Sequence, residues 1–146
     1  MTPSPRSATG LLIALTLLNV LNWADRYLII SFSTAIIPEL GLSNLQFGLL
    51  TGLVFTTVYT VIGLVMGSLA DRVHRPRLIA VGLALWSALT AATGLARSFG
   101  QMAAARMLIG VGEACLAPAA LSMLSERFVP ARRAFAGGFY YLALPV

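Results

Sequence analysis

Four ionisable residues stand inside apolar runs of this chain, Asp25 and Arg26 in the first run and Arg106 and Glu113 in a later one. A charge there costs about 2.5–3.5 kcal/mol on insertion scales, so each group needs a partner or a task. At 100° per residue, Asn19, Asn22, Asp25, Arg26 and Ser33 fall within an arc of roughly 120°. That is a polar stripe on an apolar rod, and it should face protein or water rather than lipid. Arg106 and Glu113 lie about 20° from alignment and about 10.5 Å apart along their helix. Gly110 and Ala117 share that face, which leaves room for a cavity. Two carboxylates near mid-span with two arginines close by suit a protonatable site, where a moving ligand could switch protonation. The plainer alternative is a static ion pair between Glu113 and Arg26 or Arg106.

Other chemistries lack their parts. The chain has no lysine, so no phosphate-binding loop of the Gly-x-x-x-x-Gly-Lys type exists. His74 is the single histidine and Cys115 the single cysteine, too few for a metal cluster or an intrachain disulfide. Ser122 and Ser125 have no basic partner at a sensible depth for nucleophilic work. Neither an enzyme nor a cofactor is expected.

The elements that position these groups follow from hydropathy. Of 146 residues, 58% are hydrophobic and only 10% charged, with mean hydropathy +0.87. Soluble domains carry about 25% charged residues. The apolar runs here are long enough to cross a bilayer, which takes ~20 residues at 1.5 Å each. An all-α, polytopic membrane protein is expected, with helices over about 11–37, 46–69, 78–96 and 102–124. A fifth run starts near 134 and reaches 146, ~13 residues and too short to span, so a truncated product is expected. Residues 1–10 are polar, with Pro3 and Pro5, and read as a cytoplasmic tail; residues 11–146 form the transmembrane part.

The net charge of +5 belongs to the links between helices. Arg6, Arg72, Arg75, Arg77, Arg127, Arg132 and Arg133 fall on one side, and Arg97 alone on the other. Arginine excess faces the cytoplasm, so the N-terminus is expected inside. No exposed basic face remains to hold nucleic acid. In the second helix Gly48, Gly52, Gly63 and Gly67 fall within about 100° of one another, a stripe that lets two helices approach closely.

Gly67-Ser68-Leu69-Ala70-Asp71-Arg72-Val73-His74-Arg75 resembles the signature loop of the major facilitator superfamily, roughly G-x-L-[AS]-D-R-x-G-R-[RK], between helices two and three. His74 stands where glycine is usual, and Pro76 where a basic residue is usual, with Arg77 one place later. Arg106 through Ala114 is similar to the family pattern R-x-x-x-G-x-G-[EG]-A. Asn22-Trp23-Ala24-Asp25-Arg26-Tyr27 together with Gly112-Glu113-Ala114 looks like the spinster-type branch; the related anion–cation symporters share a similar N-Y-x-D-R.

The resemblance implies the first four to five helices of a major facilitator N-terminal half. It implies a secondary transporter in the inner (plasma) membrane, working by alternating access between rocking halves. Asp25 and Glu113 would be proton-linked carboxylates. Arg26 and Arg106 would set their protonation or meet an anionic headgroup. Gly67, Asp71, Arg72 and Arg75 would form the cytoplasmic gating loop. The implied partners are a small-molecule or lipid-like substrate, protons, the bilayer and the remaining helices of the transporter. The competing readings are a non-transporting membrane fragment and a half-size carrier that must oligomerise.

Overall fold

The computed structural model describes residues 5–142, with side chains from Ser7 onward. Helix α1 runs Pro5–Ser31, and a turn at Phe32 separates it from the short α2, Ser33–Glu39. The tail expected over 1–10 is therefore helical from Pro5. Proline suits a first helical position because its missing N–H is unpaired there anyway, and nothing polar in Arg6–Gly10 breaks the turn that follows. Gly41, the sole residue at positive φ among those described (+59°), closes α2 with backbone that only glycine adopts cheaply.

Ser43 opens the next span. Its hydroxyl accepts from Gln46 N, while the Gln46 side chain accepts from Ser43 N at 2.8 Å, a reciprocal cap that satisfies two free donors. The span comprises α3 (Asn44–Gly48), a π-helical turn (Leu49–Leu53) and α4 (Val54–Ala70). Next come α5 (Arg75–Thr93), α6 (Phe99–Glu113) and α7 (Leu116–Arg127). The interruption between α6 and α7 falls at Ala114 and Cys115. Pro118, four residues after Ala114, has no N–H to offer the Ala114 carbonyl. Helix α8 runs Pro130–Tyr141, and the rest of the expected fifth run, 143–146, lies outside the described residues. Among the described residues, four helical stretches are long and apolar enough to cross a membrane: Ser7–Ser31, Asn44–Ala70, Arg75–Thr93 and Phe99–Arg127.

Packing centres on α6, which meets α5 most extensively and then α4, while α1 packs on α7 and α8. Two apolar clusters result. One gathers Leu12, Leu15, Phe55, Trp86, Ile109, Ala119 and Tyr140. The other gathers Ile29, Leu42, Leu50 and Met102. Asp25 and Arg26 lie between the clusters along α1, and Arg106 lies between them along α6. The glycine stripe of the second span meets nothing: a Cβ built on Gly48, Gly52, Gly63 or Gly67 has no described atom within 4 Å. The face that α4 gives to α6 instead carries Phe55 and Tyr59.

Candidate functional site: a buried charge cluster

Arg26 and Glu113 form an ion pair, with Arg26 Nε donating to Glu113 Oε2 at 2.9 Å. The Glu113 side chain is fully buried, whereas Arg26 retains 18% exposure. Of the two pairings open from sequence, the Arg26 one forms. The Arg26 guanidinium also lies 4.3 Å from the Tyr59 ring centroid, 4.9 Å from Phe55 and 5.0 Å from Trp23. Three aromatic faces thus replace part of the hydration that burial removes from this cation.

Arg106 also packs on Phe55, its guanidinium 4.6 Å from the same ring. It is 4% exposed, and its Nε lacks a hydrogen-bond partner. On the face where the sequence leaves room for a cavity, Gly110 is covered by Phe55. A Cβ on Gly110 would lie 3.5 Å from the Phe55 ring, so the small residue receives an aromatic side chain rather than a ligand. Ala117 follows the interruption at Cys115 and does not continue the α6 face. The open space lies on the α1–α5 side of Arg106, where about 370 Å³ is walled by Asp25, Ile29, Phe32, Thr90, Met102 and Arg106 among others.

Asp25 takes a different partner. Thr90 Oγ1 on α5 donates to Asp25 Oδ2 at 2.7 Å. The polar stripe of α1 is thus divided among three neighbours. Asn19 Nδ2 donates to the Tyr140 carbonyl of α8 at 3.1 Å, Asp25 meets α5 and Arg26 meets α6. Sequence reasoning gave Thr90, Phe55, Tyr59 and Trp23 no part in the site, although Trp23 stands in the Asn22–Tyr27 motif.

The four loop residues lie at the opposite end from Arg97. Gly67 is half-buried on α4, Asp71 caps the C-terminus of that helix, and Arg72 is exposed. His74 takes φ −70°, so the turn needs no glycine there. Arg75 does the connecting. Its Nε donates to the Ala70 carbonyl at 3.2 Å, and its Nη1 pairs with Glu126 near the end of α7. Glu126 was not anticipated, although its place in the link after the fourth span put it on the same side of the membrane.

Four membrane-length helices packed around a buried ion pair define a multi-pass membrane protein. The model of the Major Facilitator Superfamily, a superfamily of membrane transporters, matches residues 15–146, and the chain belongs to that family. Its relatives include Protein spinster of Drosophila melanogaster, 34% identical over 97% of this chain and 23% of the relative. An MFS-type efflux pump of Mycolicibacterium smegmatis is 33% identical over 97% of this chain and 33% of that protein. Among solved structures, a bacterial homolog of the human lysosomal transporter Spinster, in an inward-facing, occupied conformation, superposes with TM-score 0.91 at 35% identity. That match covers 97% of this chain and 30% of the other. The chain thus spans about a quarter to a third of the proteins it matches.

Proposed function

We propose that this chain supplies the leading helices of a proton-coupled secondary transporter working by alternating access. Its cargo is a small organic or amphipathic solute, lipid-like or anionic in character. The similarity to spinster proteins and to an efflux pump supports this reading. The observation that carries it is the fully buried Glu113 carboxylate bonded to Arg26, with Arg106 on the same Phe55 ring and Asp25 adjacent on α1. A buried carboxylate held by a cation responds strongly to any change in that cation's distance. A proton drives transport only if protonation favours one facing state over the other, and a pair that can exchange Arg26 for a proton offers that preference.

In the same reading, Gly67, Asp71, Arg72 and Arg75 form a gating loop on the cytoplasmic side. The N-terminus is cytoplasmic and the membrane is the inner (plasma) membrane, as the arginine distribution argues. The remaining helices of the transporter would complete the central site. The test is solute flux into vesicles bearing the full-length protein, driven by a pH gradient. Glu113→Gln and Asp25→Asn are expected to abolish the pH dependence while membrane insertion stays intact. Wild-type rates in both variants would overturn the coupling.

A further inference from the structure

The cavity beside Arg106 extends from mid-membrane toward the end of the bundle that carries Arg97. Asp25, Thr90 and Arg106 lie at its inner end, and Glu39, Leu40 and Ala96 at its outer end, with Thr93 between. A second hollow shares Glu39, Leu40, Gly94 and Ala96 with it and reaches Leu95 and Arg97. Asp25 and Glu39 are separated by about 21 Å of helix rise, far beyond direct proton transfer. Water can cover that distance if it has room and partners. Each molecule takes ~30 Å³ of liquid volume and needs two to four polar neighbours. The 370 Å³ of space suffices for several. Partners are present too: the buried Arg106 Nε without an acceptor, the Asp25 carboxylate, the threonine hydroxyls and Glu39.

We propose that this cavity is a hydrated passage between Asp25 and the Arg97 face, with Glu39 as the carboxylate at its mouth and Thr90 positioning the Asp25 acceptor. It rests on the reading of Asp25 as a proton-linked group and adds the route by which protons reach it. The charges around Asp25 are Arg26 beside it on α1, Arg106 and Glu113 on α6, and, at the outer end, Glu39 on α2 with Arg97 near it. With both inner carboxylates ionised, the four inner charges sum to zero, so the passage presents no net positive barrier to an arriving proton. A carboxylate at the mouth raises the local concentration of cations there.

Thiol labelling of the full-length protein in vesicles tests the passage without requiring transport. Ala91→Cys puts a thiol on the cavity wall next to Thr90, and Ala92→Cys puts one at the same depth of α5 on an exposed position outside the cavity lining. Cys115 is buried and adds little background. A membrane-impermeant cationic methanethiosulfonate, added from the Arg97 side, should modify Ala91→Cys at least tenfold faster than Ala92→Cys. Adding Glu39→Gln should slow that reaction at least threefold and leave a neutral reagent of similar size unaffected. Equal rates at the two thiols overturn the passage; no effect of Glu39→Gln overturns the role of Glu39. If Ala91→Cys fails to reach the membrane, Ala35→Cys on the opposite wall carries the same comparison. Fast labelling in a carrier indifferent to pH overturns proton coupling and leaves the passage standing. Slow labelling with coupling intact overturns the passage alone.

Discussion

Arg26 reaches Glu113 from a helix 87 residues earlier in the chain, and the two partners are buried unequally, at 18% and 0%. The carboxylate therefore depends on the pair more than the guanidinium does, since Arg26 keeps three aromatic rings and some contact with solvent.

Breaking such a pair from the Arg26 side should be the costlier choice. Arg26→Met leaves Glu113 buried without its cation, a loss on the order of 3–5 kcal/mol. The double variant Arg26→Met with Glu113→Leu should recover much of that loss. Thermal unfolding midpoints in detergent read both, and a double variant no more stable than Arg26→Met contradicts the asymmetry.

Gly82 and Gly112 test how tightly α5 and α6 are locked. A Cβ on Gly112 would stand 3.0 Å from the Gly82 carbonyl oxygen and 3.2 Å from Trp86 Cβ, and backbone cannot move aside cheaply. Gly112→Ala should cost about 1–3 kcal/mol through overpacking. Gly48→Ala meets no described atom and should be neutral or stabilise by up to about 1 kcal/mol. Unfolding midpoints of the two variants should move in different directions.

Arg75 makes an exposed connection, with Glu126 59% exposed, and pairs of that kind contribute about 0–1 kcal/mol. Arg75→Ala should therefore barely change the unfolding midpoint. Its effect should appear in the balance of facing states, read by the accessibility of reporter thiols on each side in the full-length protein. Arg75→Lys should behave alike, because lysine lacks the two separate nitrogens, Nε and Nη1, that reach Ala70 and Glu126. Unchanged accessibility in both variants would remove the loop from gating.

Asn19 ties α1 to α8 through the Tyr140 carbonyl. Hydrogen bonds between membrane helices contribute about 0.6 kcal/mol, with a maximum near 1.7. Asn19→Ala should lower stability by that order, measured by denaturation in mixed micelles. A loss several times larger would show that Asn19 carries more than this bond.

The charged residues were legible in the sequence because hydropathy makes any ionisable group in an apolar run stand out. Their partners were less so. Whether Glu113 meets Arg26 or Arg106 depends on the rotation of α1 against α6, which no spacing within one helix encodes. Thr90 was invisible because a threonine in an apolar helix carries no charge to draw notice, although its hydroxyl holds Asp25. Phe55 went unremarked for a similar reason. An aromatic residue in a membrane helix looks like ordinary packing, and only the fold shows two guanidinium groups within 5 Å of its ring. The glycine stripe meets no described atom, and a wheel of constant 100° steps does not register the π-helical turn within that span.

That turn, at Leu49–Leu53, couples chain length to helix orientation in the second span. Deleting one of its residues would restore uninterrupted α-helix and swing Gly48 and the preceding capped segment by about 100° around the axis. Hydropathy would hardly change, so the altered chain would still read as the same membrane span. Two sequences differing by a single residue here would enter the bilayer alike and present different faces to whatever packs on α3.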